Sequence, residues 1–279
     1  MEFRFTKMHG LGNDMILIDD REHIIKDENE FARCILHRHT GIGADCLLLV
    51  RNSDIADIRM MIFNNDGTEA EMCGNGIRCF IKYVIESGII HQTEFTCETL
   101  AGIKRPHAVV ENGIVTEIGV DMGEPKLKCS EIPVAAEGEF REKILFSHGK
   151  RFTVTSVNTG IPHTVVFVDD AALTEVEYYG SDIEQSPIFP KHTNVDFVQV
   201  IDRENIIMRV WERGCGCTMC CGTGACASAV ACILAGKTDR KVKVHVEIGT
   251  LEIEWRDDNT LWMSGPAETV CDGVYYYNK

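Results

Sequence analysis

The chain has 279 residues, 44% of them hydrophobic, enough to bury one large core or two of moderate size. A formal net charge of −15 gives no basic surface for nucleic acid or anionic lipid, so a small-molecule substrate is favoured. Thirteen cysteines, an odd number in a long chain that opens without a signal-peptide pattern, argue for reduced thiols in a cytoplasmic setting, and no apolar stretch nears the roughly 20 residues of a membrane helix. Strand-forming runs at residues 3–6 and 15–18 precede a helix over 28–38, whose Phe31, Ile35 and Leu36 fall on one face. Strands follow at 46–50, 57–63 and 93–97. Between the last two, a run after Cys73 repeats Ile77, Phe80, Ile81 and Val84 at helical spacing and stops at Gly88. Strand patterns resume at 114–120, a hinge is read at 121–125, and further strands are read at 154–157, 164–168, 195–200 and 206–210. A third helix opens after Cys221, with Ala225, Ala229, Cys232 and Ile233 in period and Gly236 at its stop. Strands at 242–247, 251–255 and 261–263 complete the pattern. Strands that outnumber helices, without βαβ alternation, predict an α+β fold.

The only internal repeat is a helix mouth. Cys73-Gly74-Asn75-Gly76 and Cys221-Gly222-Thr223-Gly224 both read Cys-Gly-x-Gly and both open an amphipathic run, about one domain length apart. A helix N-terminus presents unpaired N–H groups and the positive end of the macrodipole, which bind a carboxylate and lower the pKa of a nearby thiol. The repeat predicts two pseudo-symmetric domains, with an anion held between two reactive sulfurs in the cleft between them. Such a pair suits α-proton transfer on an amino acid. One thiolate removes the proton from one face, one thiol returns it to the other, and the roles exchange in reverse. The two sulfurs then titrate as a coupled pair. Charge developing on the α-carboxylate would meet N–H donors of Gly74, Asn75, Gly222 and Thr223, so no cofactor is needed as an electron sink. No nucleotide-binding loop of Rossmann or P-loop type is present.

At these residues the chain resembles the diaminopimelate epimerases, cofactor-independent two-cysteine enzymes that interconvert LL- and meso-diaminopimelate for lysine and cell-wall synthesis. The resemblance spans nearly the whole chain. It runs through 5–14, which includes His9-Gly10-Leu11-Gly12-Asn13, then 41–45, 63–76, Pro162-His163, Thr193-Asn194-Val195, Trp211-Glu212-Arg213-Gly214, 221–226 and 264–267. It implies two similar domains, each a strand-rich sheet wrapped around a central helix. One spans 1–120 and is rejoined by 266–279, and the other spans 121–265. The resemblance further implies Cys73 and Cys221 as the acid/base pair and Gly74, Asn75, Gly222 and Thr223 as the cradle of the α-carboxylate. Asn13, Asn64, Asn194, Glu212 and Arg213 would bind the remaining amino and carboxylate groups, while His163 and Glu212 would tune the thiols. The planar fork of Arg213 makes it the best candidate for a carboxylate clamp.

Three stretches depart from the family pattern. Ile161 stands where many members have an Asn that helps hold the far end of diaminopimelate. Cys46 stands where many carry Gln or Gly, and the cysteine-rich run 214–221 replaces a stretch that usually carries Glu and Ala. These leave the proton-transfer pattern whole and bear on the distal half of the substrate. A racemase of the same fold acting on another amino acid, such as histidine, is therefore the alternative. A second alternative is a non-enzymatic thiol protein holding metal through Cys215, Cys217, Cys220 and Cys221, which the adjacency of the last two disfavours. The remaining cysteines read as core or surface filler. The expected partner is a small amino-acid substrate, without metal, nucleic acid or membrane, and a homodimer is compatible with the reading.

Overall fold

In the computed structural model, which describes residues 1–277, the chain divides into two units: Met1–Val120 with the segment from Gly265 onward, and Asp121–Ser264. The elements run β1 (Glu2–Gly10), β2 (Asn13–Asp19), α1 (Glu28–Leu36), β3 (Cys46–Arg51), β4 (Ile58–Asn64), β5 (Glu69–Ala70), α2 (Gly74–Glu86), β6 (Cys97–Thr99), β7 (Gly102–Lys104), β8 (His107–Glu111) and β9 (Ile114–Gly123). The chain passes into the second unit within β9. There follow β10 (Lys143–Ser147), β11 (Lys150–Asn158), β12 (Pro162–Phe167), α3 (Val176–Glu184), β13 (Asn194–Val200), β14 (Asn205–Glu212), β15 (Gly216–Thr218), α4 (Gly222–Leu234), β16 (Lys241–Val246), β17 (Gly249–Trp255) and β18 (Leu261–Gly265). The last strand, β19 (Glu268–Tyr276), belongs to the first unit.

Each unit is a mixed sheet with one buried helix. In the first, the strand order is β19-β1-β2-β3-β4-β6-β7, with β5 on β4; β2–β3 and β4–β6 are parallel and the other pairs antiparallel. Helix α2 packs on β1 to β4 through Ile77, Phe80, Ile81 and Val84, all 0% exposed. Burying such a side chain contributes about 1.5–3 kcal/mol. Helix α1 lies against β3 and β4 and shares a core with Phe3, Ile16, Ile18 and Leu49. Its N-terminus is capped by Asp27, whose carboxylate accepts from the Glu30 amide at 3.0 Å. It stops at Leu36, two residues short of the expected end, because His37 turns to an extended ψ of 119°.

In the second unit the order is β10-β11-β12-β13-β14-β16-β17-β18, with β15 on β14 and parallel pairing at β12–β13 and β14–β16. Helix α4 packs on β11, β12, β13, β14, β16 and β17. Every residue from Gly224 to Cys232 is buried, so α4 is not the amphipathic helix its sequence suggests but is covered all round. Its Ala, Cys, Ser and Val side chains are small or short enough to let strands approach on all sides. The fold is α+β, two sheet-rich halves each built on a central helix.

Other readings needed correction. Only Cys97 of the expected strand at 93–97 enters a strand, β6; ahead of it the chain makes an isolated bridge between Glu94 and His107. Helix α3 was missed. Val176, Gly180 and Ile183 form its narrow buried face, and no side chain caps it. Strand β19 was missed because its exposed edge position leaves no apolar alternation to read.

Candidate active site

In the first unit the site begins at a hairpin. Leu11 and Gly12, at φ of 53° and 83°, form the two-residue turn that joins β1 to β2 with Gly10 opposite Asn13. Both turn residues lie in the left-handed region, as a turn of the I′ class demands. Asn13 therefore stands at the first position of β2. Its Nδ2 donates to Asp45 Oδ2 at 2.8 Å, which leaves Oδ1 to accept from the Cys73 thiol and from Asn75 Nδ2, both at 3.5 Å. Asp45 is itself held by Arg38 at 2.7 Å. Neighbouring Asp14 is pushed up by burial, but its bonds to Arg38 and Lys7 prevail and keep its carboxyl below the usual range.

Cys73 is the N-cap of α2. Its extended backbone, φ −139° and ψ 116°, turns the sulfur back over the first turn, where Sγ accepts from the Gly76 amide at 3.2 Å. Asn75, 6% exposed, has its Oδ1 taken by Arg78 Nη2 at 2.9 Å, which aims its Nδ2 at Asn13. Arg78 also donates to the carbonyls of Gly74 at 3.0 Å and Pro266 at 3.1 Å. Asn64 lies opposite Cys46 at the end of the β3–β4 pair, with Nδ2 donating to Thr68 Oγ1 at 3.1 Å and Oδ1 facing the Cys46 thiol at 3.9 Å. Burial, with Cys73, Asp45 and Asp14 adding to it, pushes the Cys46 thiol well up.

The second unit repeats the construction. Cys221 caps α4 with φ −124° and ψ 115°, and Sγ accepts from the Gly224 amide at 3.4 Å. Thr223 Oγ1 lies 3.3 Å from that sulfur and 2.9 Å from His163 Nε2. His163, on β12, is 0% exposed, and its Nδ1 is 2.8 Å from Asp196 Oδ2 on β13. A Cβ at Gly224 would sit 2.5 Å from Asp196 Oδ1, so the second glycine of this motif is needed for the helix to seat against the carboxylate. Asn194 accepts from the Arg213 amide at 2.8 Å and donates to the Pro162 carbonyl at 2.9 Å. Glu212, at the end of β14, accepts from the Thr218 hydroxyl.

The structure thus gathers Cys73, Gly74, Asn75 and Asn13, with Asn64 two strands away from Asn13, on β4. It separately gathers Cys221, Gly222, Thr223, His163 and Asn194, with Glu212 and Arg213 at the end of the neighbouring strand. The Arg213 guanidinium donates from Nη1 to the Lys191 carbonyl at 2.8 Å. One expectation is reversed. Burial pushes the Cys221 thiol well up, with Glu212 and Asp196 adding to it, and these outweigh the lowering by Thr223 and the Gly224 amide. The helix terminus alone does not make Cys221 a thiolate. The core thiols Cys79, Cys97 and Cys232 are pushed up by burial to about 12 and are inert fillers.

Three residues of these clusters escaped the sequence reading: Asp45, Arg78 and Asp196. Asp45 lies within the 41–45 block of the resemblance, and Asp196 left a signal as a charge between Val195 and Phe197. In the cysteine-rich run, Cys215 and Cys217 are exposed whereas Cys220 and Cys221 are buried. Among the described residues no three His, Cys, Asp or Glu side chains converge as metal ligands, and no helix is long and apolar enough to cross a membrane.

The sequence profile of the family described as diaminopimelate epimerase matches residues 5–128 and 155–270. The chain is 50% identical over 271 residues to the diaminopimelate epimerase of Caldanaerobacter subterraneus subsp. tengcongensis, covering 97% of this chain and 98% of that one. It is 46% identical over 283 residues to the diaminopimelate epimerase of Bacillus cytotoxicus, covering 99% and 98%. Among solved structures it is similar to a PhzF-family phenazine biosynthesis protein of Bacillus anthracis, with a TM-score of 0.74 at 17% identity and coverage of 99% and 100%, a likeness of fold.

Proposed function

We propose, from the premise that this chain belongs to the diaminopimelate epimerase family, that it interconverts LL- and meso-diaminopimelate by passing the α-proton between Cys73 and Cys221. Members of this family are isomerases, and the reaction serves lysine and cell-wall precursor synthesis in the cytoplasm. The observation that carries the reading is the helix mouth built twice, each with a cysteine Sγ on the amide three residues ahead, Gly76 in one case and Gly224 in the other.

Two-base transfer needs a thiolate on one face of the α-carbon and a thiol on the other. The carbanion's charge spreads onto the α-carboxylate. The first-turn amides of Gly74, Asn75, Gly222 and Thr223, which no carbonyl of their own helix reaches, suit that charge. Fixed dipoles then do what an electron-sink cofactor does elsewhere, so none is required. Asn13, Asn64, Asn194, Glu212 and Arg213 bind the remaining polar groups, and His163 and Glu212 set the protonation of the thiols. Burial, with Glu212 and Asp196 beside it, holds the Cys221 thiol up, which suits it to the protonated member of the pair.

Deuterium incorporation at the α-carbon, followed by NMR in D2O with reductant, tests the reading on LL-diaminopimelate beside L-histidine, L-glutamate and L-lysine. Exchange with epimerisation confined to diaminopimelate is expected, and exchange on another amino acid alone overturns the substrate. One observation favours that second reading: Ile161, 38% exposed in the turn between β11 and β12, offers no donor to a distal carboxylate. Ile161→Asn is expected to shift the preference between diaminopimelate and the other amino acids more than it changes kcat. Unchanged preference would show that this turn does not read the distal end.

A further inference from the structure

Behind Cys221 stands a chain of polar groups with very little freedom. Asp196 and His163 are both 0% exposed, on adjacent parallel strands. Asp196 Oδ2 lies 2.8 Å from His163 Nδ1, His163 Nε2 lies 2.9 Å from Thr223 Oγ1, and Thr223 Oγ1 lies 3.3 Å from Cys221 Sγ. The other carboxylate oxygen, Asp196 Oδ1, is buried, packs against Gly224 and accepts no hydrogen bond among the described residues. His163 is therefore the donor on which this carboxylate depends. A buried carboxylate left without a donor is strongly disfavoured, so the proton on Nδ1 is held there.

With Nδ1 protonated, a neutral imidazole has only Nε2 as an acceptor. The single hydroxyl proton of Thr223 must then point to Nε2, and the Thr223 oxygen is left to accept from the Cys221 thiol. We propose that Asp196 and Thr223 complete a proton relay from Cys221 to His163, with Asp196 as the positioning residue and Thr223 as the carrier. In the forward step the S–H bond of Cys221 breaks and its proton goes to Thr223 Oγ. At the same time the former Thr223 hydroxyl proton goes to His163 Nε2. The products are a thiolate and an imidazolium, no atom or electron is gained or lost, and the imidazolium charge meets the fixed carboxylate of Asp196. The Thr223 hydroxyl reverses direction and donates to the thiolate it has created.

The position of Cys221 well above the ordinary thiol range accords with the thiol end of this relay as the resting state. The groups set against it are Asp196 from β13, His163 from β12 and Glu212 from β14, while the turn after β11 contributes the uncharged Thr159, whose hydroxyl donates to the Thr223 carbonyl at 2.8 Å. The relay deepens the two-thiol reading and rests on it for its role in turnover, but it is readable without substrate.

The test is the pH dependence of Cys221 alkylation by iodoacetamide, read by peptide mapping, beside 15N NMR of the histidine side chains. Asp196→Asn keeps the shape but removes the charge. Thr223→Val removes the carrier, and Thr223→Ser restores it. Thr223→Val is expected to slow alkylation about tenfold at a given pH, equivalent to a one-unit rise in the thiol pKa, with Thr223→Ser close to the parent, while in Asp196→Asn, which no longer fixes the Nδ1 proton, neutral His163 is expected to lose its single Nδ1–H tautomer in the 15N spectrum. His163 in the parent is expected to carry its proton on Nδ1. Simple loosening of the fold would expose Cys221 and speed alkylation, the opposite sign. Superposable or faster alkylation in Thr223→Val, or a neutral His163 protonated at Nε2 in the parent, overturns the relay. If diaminopimelate shows no α-exchange while Thr223→Val slows alkylation as stated, the substrate assignment falls and the relay stands.

Discussion

Cys73→Ala and Cys221→Ala are each expected to lower epimerisation of diaminopimelate about 10³-fold or more, the scale of losing a positioned acid or base. Either loss stops the full reaction, because a proton taken from one face must be returned from the other. The two cysteines are also helix caps, and the structural share of the effect must be separated from the chemical one. Each sulfur accepts one first-turn amide, Gly76 at 3.2 Å for Cys73 and Gly224 at 3.4 Å for Cys221. Removing such a cap costs about 0.5–2 kcal/mol in stability, too little to unfold a chain of this size. Serine at either position keeps a capping oxygen but lacks an acidic thiol. Cys73→Ser and Cys221→Ser should therefore melt within a few degrees of the parent and still lack epimerisation. Deuterium wash-in adds a finer reading, since Cys73→Ser retains one thiol and is expected to exchange the α-proton of one stereoisomer without inverting it. Near-parental turnover in any of the four variants rules out the two-thiol mechanism.

Much of this arrangement was legible in the sequence because it is local. A cysteine followed by Gly-x-Gly and an apolar period of 3.6 states a helix and its mouth within one window, and α2 and α4 begin at Gly74 and Gly222 as that pattern implies. The surroundings of α4 were not legible. Whether a run of Ala, Cys and Val faces one sheet or is covered on all sides depends on strands far away in the chain, and its period alone does not report them. The same holds for charge. The helix terminus predicts a lowered thiol, yet Cys221 is raised, because burial and the carboxylates of Glu212 and Asp196 come from β14, β13 and the surrounding core. Asp196 was visible as an odd charge in an apolar strand, but its bond to His163 follows from the parallel register of β12 and β13, which places His163 beside Asn194. Strand β19 shows the converse case. Its pairing with β1, from Glu2 opposite Tyr276 to His9 opposite Glu268, is backbone chemistry that leaves side-chain pattern free to vary.

Arg78 carries the second large effect, and nothing in its local sequence announces it. It sits on α2 beside Ile77 and two residues before Phe80, yet it is 0% exposed, among the most buried side chains of the chain. Its guanidinium donates to the Gly74 carbonyl at 3.0 Å, to Asn75 Oδ1 at 2.9 Å and to the Pro266 carbonyl at 3.1 Å. The first two hold the mouth of α2 in shape, and the third ties that mouth to the returning segment ahead of β19. Arg78→Ala removes the partner of each acceptor and leaves a side-chain-sized void, terms of about 1–3 kcal/mol per stranded polar group and more for the cavity. Because these terms are not additive, a total of about 4 kcal/mol is the expected loss of stability, measured by urea unfolding. Arg78→Lys retains the charge but not the fork, so it can reach one acceptor at a time and should recover less than half of that loss. In the folded fraction of Arg78→Lys, Asn75 is no longer fixed by Arg78 Nη2 and Nδ2 loses its aim at Asn13. KM for diaminopimelate is therefore expected to rise, whereas a bulk packing role would leave KM alone. A stability loss below about 1 kcal/mol in Arg78→Ala would show that the helix mouth is held by the glycine and cysteine geometry without the guanidinium behind it.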